Sequence, residues 1–379
     1  MRNATYDAIV IGVGGMGSAA LYELAKRGQR VLGIERYGIA HDMGSSHGFT
    51  RIIRLAYYED PSYVPLLRRA YELWRELQEV MGEQVLHITG SIDAGPPGSF
   101  TFDGSLESCK MHGIPHEVLT SAEISSRFPG YRLPSETMAV YQEDGGFLVP
   151  EKCIEGYVEL ARGLGAEVHT DERVLDWSAT SSGVRVITDA GAYDAERLVV
   201  TAGAWTESML PALMGLAVPE RQVLAWFEPK RPEHYQPATF PVFNIVVDEG
   251  RYYGFPEFGV PGFKVGRYHH MEEVVDPDAY DREPNLHDEV LLREFTENYF
   301  PDAAGATLSM KACMFTNSPD EHFIIDTLDP SQSNVVIAAG FSGHGFKFCS
   351  VVGEVLADLS LSGSTRHDIA MFRLGRFAP

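Results

Sequence analysis

The chain has 379 residues, 44% hydrophobic and 22% charged, with a formal net charge of −22. Such a length accommodates two domains, or one large domain carrying an insertion. The acid excess argues against a nucleic-acid partner, whose phosphates require surplus Lys and Arg, and against an anionic membrane surface.

Residues 8–11, Ala-Ile-Val-Ile, predict a buried strand, and Gly12-x-Gly14-x-x-Gly17 follows it. No leader precedes this strand, and no apolar run approaches the roughly 20 residues of a spanning helix, so a cytoplasmic protein is expected. Residues 18–27 predict a helix, and the second apolar run, 31–34, ends in Glu35. Gly12 permits the tight turn, Gly14 lets the backbone approach a pyrophosphate, and Gly17 lets helix and strand pack closely. The helix N-terminus attracts phosphates, and Glu35 accepts hydrogen bonds from a ribose diol. Strand, glycine turn, helix and acid in this order predict dinucleotide binding.

Val64, Leu67, Tyr71, Trp74, Leu77 and Met81 recur at helical spacing and predict a helix over 63–81. Gly95-Pro96-Pro97-Gly98 then breaks the chain, and residues 145–150 begin a return to the nucleotide domain. A helix over 154–164, a strand over 166–169 and another starting at 173 are expected. Residues 183–188 alternate as an antiparallel strand, with a turn at 189–191. Residues 198–205 read as a continuous buried strand whose small end, Ala202-Gly203, lies against the ligand. From 218 to 315 aromatic and proline-rich alternating runs predict a mainly antiparallel sheet. A strand over 334–340 and a helix over 350–359 complete the chain. The expected fold is α/β: a Rossmann-type dinucleotide domain from 1–84, 150–217 and 318–379, with an inserted, mainly antiparallel substrate domain from 85–149 and 218–317.

Cys109, Cys153, Cys313 and Cys349 are scattered without metal-type spacing, so neither a metal site nor a disulfide framework is expected. Other segments carry chemistry. Gly44-Ser45-Ser46-His47-Gly48-Phe49-Thr50-Arg51-Ile52-Ile53-Arg54 sets two arginines three apart among apolar residues. Tyr252-Tyr253-Gly254-Phe255-Pro256, Lys264-Val265-Gly266, Cys313-Met314-Phe315-Thr316, Asp320-Glu321-His322-Phe323 and Gly340-Phe341-Ser342-Gly343-His344-Gly345-Phe346-Lys347-Phe348 follow. In this order, and almost end to end, the chain resembles the monomeric sarcosine oxidase and N-methyltryptophan oxidase family, flavoenzymes of the glycine-oxidase-like group.

The resemblance implies FAD, attached by a thioether from Cys313 to the flavin 8α-methyl carbon. It implies that Arg54 and Lys347 bind the substrate carboxylate, that Arg51 sits over the flavin face, and that Lys264 activates oxygen. Tyr253 matches a substrate-pocket tyrosine, and His269 or His270 fills a catalytic histidine position in a segment one residue longer than the family's. His47, Thr50, Gly343, His344, Gly345 and Lys347 fall along the flavin, and Val174 and Gly203 along the dinucleotide. The residue types suit these tasks. Arginine forks bind carboxylates through paired hydrogen bonds, and a thiolate needs a nearby cation, for which Lys311 is a candidate. Cys349 is the minor alternative for the linkage. Phe315 stands where the family often has tyrosine, which favours a more apolar amine substituent.

The implied activity is oxidation of N-methyl or other secondary α-amino acids by a monomeric enzyme, with molecular oxygen reduced to hydrogen peroxide. Two rivals remain at this level: a flavin dehydrogenase with another electron acceptor, and a non-catalytic flavin-binding subunit. An NAD-dependent dehydrogenase shares the N-terminal fingerprint but gives no reason for Cys313.

Overall fold

Alternation in the first strand divides the nucleotide-side core in two. In Thr5–Ile11, Ala8 and Val10 face one apolar cluster while Ile9 and Ile11 face another, so both sides of the strand are buried. The computed structural model describes residues 5–180, 183–328 and 334–378. Thr5–Ile11 pairs in parallel with Val31–Ile34 on one side and Ala192–Val200 on the other. Beyond these lie Glu167–His169, also parallel, and the antiparallel strands Val174–Thr180 and Gly183–Thr188. Val335–Ala339 joins the C-terminal half of Ala192–Val200 in parallel, and Ile324–Thr327 closes that edge antiparallel.

Helices Gly15–Lys26, Pro150–Gly163 and Cys349–Ser362 cover one face of this sheet. Helix Val64–Met81 packs beside them and ends at Gly82, whose left-handed φ of 68° suits glycine. Helix Pro150–Gly163 begins four residues before the expected 154, because Pro150 is tolerated at a first helical position. The apolar run 198–205 departs from expectation in a second way. Its strand ends at Val200, and Gly203–Trp205 turns into a 3-10 helix through a Gly203 φ of 53°.

The second sheet runs in the order Thr307–Asn317, Val218–Phe227, Phe263–Arg267, Gly250–Phe255, Val242–Val247, Ser91–Gly95, Met138–Gln142 and Glu117–Thr120. All its pairings are antiparallel except Val242–Val247 with Ser91–Gly95. Its core is aromatic, built on Tyr131, Tyr235, Phe240, Phe243, Phe263 and Phe300. A small third sheet pairs Arg51–Ile53 and Leu86–Ile88 with Gly146–Leu148. It ties the arginine motif to segments adjoining the second sheet. The fold is therefore a Rossmann-type α/β unit joined to a mainly antiparallel one. Among the described residues no helix is long and apolar enough to cross a membrane, and no side-chain cluster could hold a metal.

Candidate active site

An elongated cavity runs between the two large sheets. It encloses about 1860 Å3 of non-atom space, the open solvent at its mouth included. One end is built from backbone. Gly12 has φ +83°, and a Cβ there would meet the Thr201 carbonyl at 2.6 Å. A Cβ on Gly14 would meet only open space. Gly17 lies off the cavity; its Cβ would fall 1.8 Å from the Gly12 carbonyl, so its task is helix–strand packing. Gly14 caps the first helix with no side-chain acceptor, and Gly14, Gly15 and Met16 line the cavity. The first-turn amides are thus placed for an anion.

Glu35 is fixed beside them. Its Oε2 accepts the Val13 N–H at 2.8 Å and its Oε1 the Tyr37 N–H at 3.1 Å, with His41 Nε2 3.3 Å away. A carboxylate retains further acceptor sites after two such bonds. Val174, Ala202 and Gly203 also line the cavity.

The other end is cationic. Arg51, on the strand Arg51–Ile53, donates to the carbonyls of Ser45 at 2.6 Å and Thr50 at 2.9 Å, and its Nη2 lies 3.9 Å from Cys313 Sγ. Lys311 faces Asp42 instead, at 3.6 Å, so Arg51 is the cation beside the thiol. Lys347 lines the cavity, is buried, and donates to the His344 carbonyl at 2.7 Å. Burial pushes its ammonium down to about 7, against the pull of Glu59. His344 also lines the cavity; its Nδ1 is 2.5 Å from the Tyr57 hydroxyl, and burial holds it at about 4, hence neutral. Gly343 and Gly345 flank it on the wall.

Lys264 sits one layer behind the wall. Its Nζ donates to the Gly48 carbonyl at 2.7 Å, the Thr50 carbonyl at 3.0 Å and Thr50 Oγ1 at 2.9 Å. Burial first, then Arg51, drives its pKa well down. Glu151, which the motifs did not reveal, pins the turn beneath it by accepting the Gly48 and Phe49 N–H groups at 2.7 and 3.0 Å. His47 is likewise buried off the cavity, with neither ring nitrogen partnered; burial and then Arg51 lower it to about 3.

Two expected positions differ. Arg54 does not line the cavity, because its charge is already met by Glu59 at 2.9 Å and Asp93 at 3.2 Å. Despite burial, Arg54 holds Glu59 at about 2, whereas burial raises Asp93 to about 6. The Tyr57 ring lies between this triad and Lys347, with Arg54 4.6 Å and the Lys347 ammonium 5.3 Å from its centroid. His269 also misses the cavity. Its left-handed φ of 55° turns the ring away to Glu220 at 3.2 Å and Glu321 at 3.3 Å. His270 is buried against Asp288 at 2.8 Å. Tyr268, not a histidine, reaches the wall from this segment, with its ring 5.1 Å from Tyr253 and 5.8 Å from Phe315. Asp93 left one readable signal, an acid inside the apolar strand Ser91–Gly95; Glu59 and Tyr268 left none.

Residues 7–359 match the DAO family of FAD-dependent oxidoreductases. The chain belongs to this family. Monomeric sarcosine oxidase of Bacillus sp. (strain B-0618) is 44% identical to this FAD-dependent oxidoreductase over 377 residues, covering 98% of this chain and 96% of its own. N-methyl-L-tryptophan oxidase of Yersinia pestis (strain Pestoides F) is 36% identical, covering 98% and 99%. Among solved structures, NikD, an unusual amino acid oxidase essential for nikkomycin biosynthesis, superposes with a TM-score of 0.84 at 25% identity over 97% of each chain. The site fits FAD on its own geometry: uncapped helix amides, an open Gly14 and a fixed Glu35 suit the dinucleotide, and the cavity extends onward to Cys313 and Lys347.

Proposed function

We propose that this chain is an oxidase of N-methyl or other secondary α-amino acids, converting the C–N bond to an imine and dioxygen to hydrogen peroxide. The observation that carries it is a set of basic groups without acid partners: among the described residues no carboxylate forms an ion pair with half-buried Arg51 or with buried Lys264 and Lys347. A dry cationic recess calls for an anion. The carboxylate of an amino acid is one.

Bound FAD supplies acceptance of two electrons as a hydride equivalent and their delivery to oxygen. Gly12, Gly14, Glu35, Val174 and Gly203 would hold its dinucleotide, and Arg51, Thr50, Cys313 and the Gly343–Lys347 turn its ring end. Lys347 grips the substrate carboxylate, while Arg54, already paired with Glu59 and Asp93, meets the same Tyr57 ring. Gripping the acid orients the neighbouring C–H and C–N bonds, which lowers the barrier. Tyr253, Tyr268 and Phe315 exclude water around the amine substituent and favour an apolar one. Lys264, held by Gly48 and Thr50, stabilises the negative charge that develops during oxygen reduction, by hydrogen bonding and proton uptake.

Cys313 carries the covalent link in this reading, since it lines the cavity with its sulfur 3.9 Å from Arg51 Nη2. Cys349 is disfavoured, because burial pushes its thiol far up. All four cysteines are free and buried, in keeping with a reducing cytoplasm, and we take the enzyme to be a monomer, as the Bacillus relative's name has it. The test is a panel of N-methyl and cyclic secondary amino acids scored for peroxide in air, with the intact mass of the purified protein. Peroxide from at least one member and a mass increase equal to FAD, lost in Cys313→Ser, are expected. Substrate-dependent dye reduction without peroxide would make it a dehydrogenase.

A further inference from the structure

The mechanism leaves one charged cluster unused, at the end of the cavity remote from Lys347. Asp278 sits in the segment following the strand Phe263–Arg267, on a tight turn. Asp276 builds that turn: its side chain accepts the Asp278 N–H at 2.9 Å, and its carbonyl accepts from Ala279 at 3.0 Å and Tyr280 at 3.1 Å. The segment is anchored on the second-sheet side, where the Val275 N–H donates to the Pro219 carbonyl at 3.0 Å. From there Asp278 reaches across to the first unit. Its Oδ1 accepts from Arg36 and from Trp205 Nε1, each at 2.6 Å, and its Oδ2 lies 3.7 Å from Arg173.

Those three partners come from separate stretches of the nucleotide-binding unit, and all three line the cavity beside Glu35 and Val174. Arg36 and Trp205 pack together with the neighbouring Tyr37. The Arg36 guanidinium lies 5.2 Å from the Tyr37 ring centroid and 5.5 Å from that of Trp205, and the two rings are 5.8 Å apart. One carboxylate thus fixes a guanidinium and an indole that face the cavity. Arg282 closes the same seam by donating to the Met43 carbonyl at 3.2 Å. Two charge-assisted hydrogen bonds at this length are short and directional.

We propose that Asp278 is a positioning residue, a clasp thrown from the substrate-side unit over the adenosine end of the dinucleotide site, holding Arg36, Arg173 and Trp205 in the shape that retains the adenylate half of FAD. Asp278 acts only through these residues. The inference rests on the dinucleotide reading with its ribose at Glu35, and predicts a defect confined to the adenylate half of the ligand.

The full chain carrying Cys313→Ser, so that bound flavin exchanges freely, is stripped of flavin and titrated with FAD and with FMN, following flavin fluorescence. Asp278→Asn and Asp278→Ala, each added to it, are expected to weaken FAD binding about tenfold or more, the scale of losing charged hydrogen bonds. FMN, which lacks the adenylate, should bind within about twofold of the parent. Trp205→Phe, which removes only the Nε1 donor, should give part of the same selective loss. Melting temperatures of the flavin-free proteins separate folding from recognition. Equal weakening of FAD and FMN, or unchanged FAD affinity with or without a lower melting temperature, would overturn the clasp. A parent that binds no flavin would overturn the dinucleotide reading itself.

Discussion

The two ends of the cavity are made in opposite ways. The dinucleotide end is local: Gly12, Gly14 and Glu35 lie within one strand–helix–strand passage, and its chemistry is mostly main-chain N–H. The substrate end is assembled from distant segments: Arg51, Tyr253, Lys264, Cys313 and Lys347 belong to different strands and turns. The first tolerates almost no change of backbone space. The second depends on charge held in a dry place. Their failures should therefore differ in kind, the first losing the cofactor and the second keeping it while losing chemistry.

Gly17→Ala should have the largest effect, because its Cβ would meet the Gly12 carbonyl at 1.8 Å and neither backbone can yield. A stability loss of about 3 kcal/mol and colourless purified protein are expected, read by denaturant titration and visible absorbance. Retention of normal flavin content would break the comparison at its stricter end. Lys264→Met should leave flavin content intact yet slow reoxidation by oxygen about 10²–10³-fold, measured by stopped-flow on substrate-reduced enzyme. An unchanged oxidative half-reaction would remove that role.

Lys347→Met should raise the substrate dissociation constant about 100-fold, the scale of losing one side of a buried charge pair, again with flavin retained. Its titration sharpens this. Burial lowers Lys347 to about 7, so the free enzyme holds a neutral amine above that pH. Carboxylate binding then requires proton uptake, and affinity should fall about tenfold per pH unit above 7. Arginine at 347 should abolish that dependence. His269→Asn should have the smallest effect, turnover within about threefold, because the ring faces Glu220 and Glu321 rather than the cavity. Hydrogen bonds donated to the carboxylates of Glu220 and Glu321 raise His269 from 6.5 to about 9. The stability it contributes should be complete below pH 6.5 and vanish as pH rises through about 9. A large loss of turnover would restore it to the catalytic set.

The same contrast explains what the chain disclosed before folding. The glycine fingerprint was legible because its meaning lies in consecutive residues, and the parallel strands announced themselves as apolar runs. Cys313, Lys347 and Tyr253 were singled out only through matched motifs; all three line the cavity. The pairing of Arg54 was not legible, because its neutralising acids, Glu59 and Asp93, lie apart in the chain. His269 lies off the cavity, where its left-handed φ accompanies a ring turned to Glu220 and Glu321. Periodicity carries no information about either.

The central claim is that buried cations select a carboxylate-bearing amine. Anaerobic bleaching of the visible flavin band by sarcosine and by dimethylamine, the same amine without its acid group, tests it directly. Sarcosine, or a bulkier N-methyl amino acid against its own decarboxylated counterpart, should bleach at least about 100-fold faster. Equal rates from acid and amine would contradict the account.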